Sequence, residues 1–153
     1  MSPAGLVGTD PTSTPALVVD ASVALKWLIE EEGSEAALAL RTCDLAAPAL
    51  LRIEAANALR TLAGRGETTP AKALALLDLL QTAPVTLVDA DDVLEARALE
   101  MALALGHPVH DCVYLALAER MDRTLVTADR RFLRALEATP HAPQAVALDT
   151  VAS

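Results

Sequence analysis

Aromatic side chains are nearly missing: the 153 residues hold one Trp, one Tyr and one Phe, 2% in all. The core must therefore be built from Ala, Leu and Val, which pack closely between elements, and Ala favours helix intrinsically. Cysteine is scarce as well. Cys43 and Cys112 stand far apart with no Cys-x-x-Cys spacing, so neither a disulfide framework nor a zinc site is indicated, and each reads as a small buried side chain. Basic residues are outnumbered, 12 against 21 acidic, giving a net charge of −9 and a pI near 4.7. That balance argues against a nucleic-acid binder working by bulk electrostatics, although a bound cation can neutralise negative charge locally. No apolar run approaches the roughly 18 residues of a membrane span. The N-terminus has no basic stretch followed by an apolar block, so no signal peptide is expected. These absences together fit a cytoplasmic protein with no membrane partner.

What is present is 53% hydrophobic with a mean hydropathy of +0.36, the composition of a globular and not a disordered chain. The length is that of one domain with a single core. Residues 1–14 (MSPAGLVGTDPTST) are rich in Gly, Pro, Ser and Thr and read as a flexible extension before a single domain over 15–153.

Along that domain, short apolar runs alternate with helical patterns. Leu17-Val18-Val19-Asp20 reads as a buried strand. Ser22 is placed to cap the helix after it. A second helix spans about Ser34 to Cys43, and Leu45–Pro48 reads as a short connection or an edge strand. An amphipathic helix runs from Ala49 to Leu62 and stops at Gly64 and Gly66. Thr69-Pro70 opens the next, a cap followed by proline in the first turn, so that 49–62 and 70–82 make a helical hairpin. Val85–Val88 is a strand, Asp91-Asp92 begins a helix to Leu105, and Val109–Met121 is a helix. Thr124–Thr127 is a strand, Arg130–Ala138 a helix and Ala145–Leu148 a weak last strand. Such alternation predicts an α/β fold: a central, mainly parallel sheet of four to five strands with helices on both faces. Ligands bind such sheets beyond the carboxyl ends of the strands.

Four acids fall at that end. Asp20 and Asp129 closely follow strands, Asp111 opens a helix, and Glu54 borders an apolar helical stripe. Each has an ordinary explanation: helix caps for Asp20 and Asp129, a helix-dipole partner for Asp111, a surface i,i+4 glutamate for Glu54. Gathered in one crevice, however, carboxylates repel one another unless a cation offsets them. Hard oxygen ligands suit Mg²⁺ or Mn²⁺, and that pairing points to metal-assisted cleavage of a phosphodiester. Ser22 and Thr127 are second-rank pocket residues. Lys26 and Trp27 read as supports of the first helix, and His107 and His110 as loop hydrogen-bonding residues, not ligands. Arg130, Arg131 and Arg134 are within reach of RNA phosphates but read as a solvated helix face.

The segments carrying these acids match a known pattern. Val18-Val19-Asp20-Ala21-Ser22-Val23-Ala24-Leu25-Lys26-Trp27 resembles the opening motif of PIN-domain proteins and is most similar to the VapC ribonuclease toxins of bacterial toxin–antitoxin modules. Ala49–Leu59, with Glu54, resembles the segment of their second acid; His110–Ala118, with Asp111, the third; and Leu125–Asp129 the fourth. The match covers about residues 17–148. It implies a three-layer α/β/α fold, a Mg²⁺- or Mn²⁺-dependent endoribonuclease leaving 5′-phosphate and 3′-hydroxyl ends, a homodimer, and a cognate antitoxin that inserts a tail into the acidic groove. Asp20, Glu54, Asp111 and Asp129 would then be both the catalytic residues and the metal ligands. A divalent cation in this setting makes a nucleophile of water near neutral pH and shields the charge that builds on the phosphate.

Three other readings fit the chain less well. An aspartate-nucleophile phosphatase carries a second Asp where Ser22 stands and needs a late lysine; no lysine follows Lys72. A phosphoacceptor receiver domain fails on the same lysine. A catalytically silent PIN-like binding module is opposed by the presence of all four acids.

Overall fold

The computed structural model describes residues 14–151; the extension expected over 1–14 lies, Thr14 apart, outside the described residues. Five strands, β1 (Ala16–Val19), β2 (Asp44–Pro48), β3 (Val85–Val88), β4 (Thr124–Thr127) and β5 (Ala145–Ala147), form one sheet in the order β3-β2-β1-β4-β5, every pair parallel. The central strand is β1, whose Leu17, Val18 and Val19 are fully enclosed, as an unbroken β-branched run predicts for a strand covered on both faces. β2 is interior and not an edge: its Leu45-Ala46-Ala47 is buried, and small side chains let helices approach from both sides. The edges are β3 and β5.

The helices are α1 (Ala21–Leu28), α2 (Ser34–Ala39), α3 (Leu50–Gly64), α4 (Pro70–Leu80), α5 (Asp92–Leu105), α6 (Val109–Met121), α7 (Arg130–Leu136) and α8 (Leu148–Val151). α1 packs on α2, α3 and α4, and the expected α3–α4 hairpin forms, its second helix opened by the Thr69 hydroxyl accepting from the Lys72 N–H at 3.1 Å. α5 and α6 pair with each other, and α6 lies on β1, β2 and β4. From Cys112 to Ala118 every residue of α6 is buried, which accounts for its lack of a polar face. Sheet and helices therefore make the three-layer α/β/α arrangement that the alternation predicts. Among the described residues no single helix is long and apolar enough to cross a membrane.

The junction between α1 and α2 is set by local chemistry. The α1–α2 turn needs Gly33, whose φ of +89° is a left-handed conformation and whose missing Cβ would press on the Lys26 side chain at 3.2 Å. Trp27 is anchored there as well, its ring N–H donating to the Ala37 carbonyl at 2.8 Å.

The chain steps from β1 to β2 to β3 in one direction, then crosses to β4 and β5 on the other side of β1. The strand order thus reverses between β1 and β4. In open parallel sheets that reversal leaves a crevice at the carboxyl ends of the two strands, and those ends carry Asp20 and Asp129.

Candidate active site

Of the two capping candidates Asp20 and Ser22, it is Asp20, directly after β1, that caps α1; Ser22 lies inside the helix. Asp20 Oδ1 accepts from the N–H groups of Ser22 (3.1 Å) and Val23 (3.3 Å) and from the Ser22 hydroxyl (2.5 Å). The Thr127 hydroxyl donates to Oδ2. Each hydroxyl also accepts a backbone N–H from the loop after β4: Ser22 Oγ from Ala128 at 2.9 Å, Thr127 Oγ1 from Asp129 at 3.0 Å. The ends of β1 and β4 are thereby sewn together through Asp20. Thr127 is wholly buried, so its hydroxyl is a fixed part of this arrangement. Asp129 caps α7, Oδ1 accepting from the N–H groups of Arg131 (3.0 Å) and Phe132 (3.2 Å).

Glu54 and Asp111 arrive from opposite layers. Glu54 sits in the second turn of α3 and Asp111 in the first turn of α6. Buried Tyr114, one turn after Asp111, donates its hydroxyl to Glu54 Oε1 at 2.6 Å and so ties the two helices. His107 Nε2 lies 2.9 Å from Asp111 Oδ2. His110 Nε2 lies 3.8 Å from Glu54 Oε2 and 3.6 Å from Asp111 Oδ1. Both histidines therefore turn to the carboxylates, where the sequence suggests loop amides. α6 begins at Val109, so His110 and Asp111 both belong to its first turn.

The electrostatics join the two groups. Burial lifts the Asp20 carboxyl to about 6, against the opposing hydrogen bonds from Ser22, Thr127 and Val23, and the charge of Asp129 adds to the rise. Burial also raises Glu54; the Tyr114 hydroxyl and His110 oppose it, and Asp111 reinforces it. The Tyr114 hydroxyl is pushed far up, first by burial, then by its bond to Glu54 and by the charges of Glu54, Asp20 and Asp111 together. The phenol thus lies within electrostatic reach of three acids from three segments of the chain. Among the described residues no lysine or arginine pairs with Asp20, Glu54, Asp111 or Asp129; the ion pairs of Arg97, Arg120, Arg123 and Arg130 lie elsewhere. Among the described residues only the two histidines stand against this negative charge.

Sequence reasoning missed Tyr114, the only tyrosine in the chain. Its signal was available: a phenol inside an otherwise apolar buried helix needs a hydrogen-bond partner. Of the two cysteines, Cys112 is buried, its thiol raised to about 11 by burial and then by Asp111, while Cys43 is only half-buried; both are free. Arg130 is exposed and paired with Asp149 at 3.3 Å, and Arg131 and Arg134 are exposed, a solvated face as expected.

Residues 17–137 match the family model of the PIN domain. The chain belongs to the PIN-domain family. PIN domains are in general metal-dependent nucleases, and the five-stranded parallel sheet between helical layers is their fold. The crystal structure of PAE2754 from Pyrobaculum aerophilum is similar, with a TM-score of 0.67 at 24% identity over 92% of this chain and 88% of that one. At that identity the likeness speaks to the fold alone. A search of curated proteins gives no match. Asp20 and Asp129 stand at the carboxyl ends of β1 and β4, and carboxylate donors suit a hard divalent cation.

Proposed function

We propose that this PIN domain is a metal-dependent endoribonuclease and the toxin of a VapC-type toxin–antitoxin module, with Asp20, Glu54, Asp111 and Asp129 holding Mg²⁺ or Mn²⁺. The observation that carries the reading is Asp20: a carboxylate held at the strand-order reversal, pushed to about 6 by burial, with no lysine or arginine paired to it among the described residues. Such a group costs stability at neutral pH unless something positive arrives from outside. The cation, when bound, supplies an activated water and shields charge on the phosphate. The chain's own part is positional. Ser22 and Thr127 fix the Asp20 oxygens, and Tyr114 and His107 each engage one oxygen of Glu54 and Asp111.

A half-open cavity of about 140 Å³ adjoins the site, sharing Thr127 and Ala128 with it and carrying Lys26 and Arg130 among its lining. A phosphate next to the cleaved bond fits there. An acidic groove on a chain of net charge −9 suits a basic antitoxin tail. The exposed Val93, Leu99 and Leu103 of α5 offer an apolar face for a homodimer, and a cytoplasmic location follows from an RNA target. The test is sequencing of the RNA ends that appear on induced expression, with Asp20→Asn as control. New 5′-phosphate ends with the wild type alone are expected; identical end profiles for both proteins would favour the reading of a silent binding module.

A further inference from the structure

Within the acid site, Glu54 and Asp111 are arranged differently from the other two acids. Each has one oxygen engaged: Glu54 Oε1 by the Tyr114 hydroxyl at 2.6 Å and Asp111 Oδ2 by His107 Nε2 at 2.9 Å. The second oxygen of each faces the same ring nitrogen, His110 Nε2, at 3.8 Å and 3.6 Å. One ligand atom from each of Glu54, His110 and Asp111 lies within 4.8 Å of the other two. Ligand atoms on a cation 2.1 Å away stand about 3.0–3.4 Å apart in octahedral or tetrahedral geometry, so closing on an ion needs only side-chain adjustments. The His110 side chain is 55% exposed, against 21% for Glu54 and 27% for Asp111, which leaves the outer positions open to water or substrate. Partners that orient a ligand and engage its other polar atom are the usual outer shell of a metal centre.

Building on the nuclease reading above, we propose that His110 Nε2 is a direct ligand of the divalent cation, with Glu54 Oε2 and Asp111 Oδ1, and that this nitrogen shifts the site's preference from Mg²⁺ toward first-row transition ions. Mg²⁺ takes oxygen donors and holds its waters, whereas imidazole binds more strongly along the series from Mn²⁺ to Co²⁺. Asp20 and Asp129, as carboxylates, contribute oxygen only.

The test uses the full chain loaded with Mn²⁺ and read by pulsed EPR for coupling to ¹⁴N, with calorimetric titrations of Co²⁺ and Mg²⁺ in parallel. Wild type is expected to show ¹⁴N coupling that His107→Gln retains and His110→Ala loses. The Co²⁺-over-Mg²⁺ affinity ratio is expected to fall about tenfold or more in His110→Ala, with Mg²⁺ affinity little changed. Metal binding by wild type without ¹⁴N coupling, or coupling that survives in His110→Ala, would overturn the ligand assignment and leave the nuclease reading standing. No uptake of any of the three ions by wild type would overturn both.

Discussion

Asp20 and Asp129 are held by backbone N–H groups, and Asp20 also by the Ser22 and Thr127 hydroxyls, whereas Glu54 is held by the Tyr114 phenol of α6 and Asp111 by the imidazole of His107 in the loop before that helix. The strand-end half is local: Asp20 and Ser22, Thr127 and Asp129 are each two residues apart, and parallel pairing of β1 with β4 brings the couples together. The helix half is long-range: Tyr114 and Glu54 are 60 residues apart and meet only when both layers have docked on the sheet. In the first half each acid doubles as a helix cap, so its geometry is fixed by the fold itself. In the second, geometry depends on single side-chain contacts. Substitutions should therefore affect stability and metal binding together in the first half, and metal binding more selectively in the second.

Asp20→Asn should give the largest effect and separates chemistry from folding. Loss of a charged metal ligand removes several kcal/mol of transition-state stabilisation, so RNA cleavage with Mn²⁺ should fall on the order of 10³-fold or more. Stability should move the other way. The folded carboxyl titrates at about 6, above its ordinary 3.8. Without metal, the native state holds the proton more tightly than the unfolded chain, so stability is lost as pH rises through that window. At pH 7.5 the metal-free variant should be more stable than wild type by about 1–3 kcal/mol, and the difference should vanish below pH 4. Thermal melts at the two pH values measure this, and a variant less stable than wild type at pH 7.5 would show that the cap dominates the charge.

Thr127→Val removes a buried donor to Asp20 and leaves the Asp129 N–H without its acceptor. An unsatisfied buried amide costs about 1–3 kcal/mol, and a shape-matched valine recovers none of it. The melting temperature should drop at every pH, with cleavage weakened in parallel. Unchanged stability would mean that the strand ends are held by the ladder alone.

Tyr114→Phe makes the matching change in the helix half. The phenyl body still fills its place in α6, so folding should lose only about 1 kcal/mol. Glu54 loses the donor on Oε1, and Mn²⁺ affinity should fall about tenfold, the low end for an outer-shell deletion. A fall in stability as large as that of Thr127→Val, with metal affinity intact, would erase the distinction between the halves.

The same contrast explains what could be read from the chain beforehand. Strand ends announce themselves: an apolar run that stops at Asp20 or just before Asp129 gives both the element and the site, and the elements from Thr69 to Thr127 lie where turn chemistry puts them. Leu45–Pro48 reads in the sequence as a short connection or an edge strand, because its alanines carry no periodic signature. Its interior place follows only from pairing with both Ala16–Val18 and Val85–Val88. The helix half was legible for its acids but not for their partners. Spacing along α6 places Asp111 and Tyr114 one turn apart, yet nothing in the chain says that α3 crosses close enough for the phenol to reach Glu54, or that His107 and His110 turn inward. Those contacts are products of layer packing, which a linear pattern does not encode.

Arg130→Ala should give the smallest effect and fixes the baseline for the others. Arg130 stands one residue from Asp129 but points to solvent, 71% exposed and paired with an equally open Asp149 at 3.3 Å. An exposed pair of this kind is worth well under about 1 kcal/mol and is screened by salt, so the melting temperature should barely move. Proximity in sequence to a site acid is then shown not to be enough: Thr127, two residues before Asp129 and enclosed, should matter, while Arg130, next to it and open, should not. If the cavity beside Thr127 takes a phosphate of the RNA, the variant should bind RNA slightly less well at low salt and equally at high salt, since one lost phosphate contact lowers the salt slope by about one. RNA-binding titrations with metal-free Asp20→Asn as the background, at two salt concentrations, read that slope without cleavage. An unchanged slope would confine the RNA path to the acid side of the crevice.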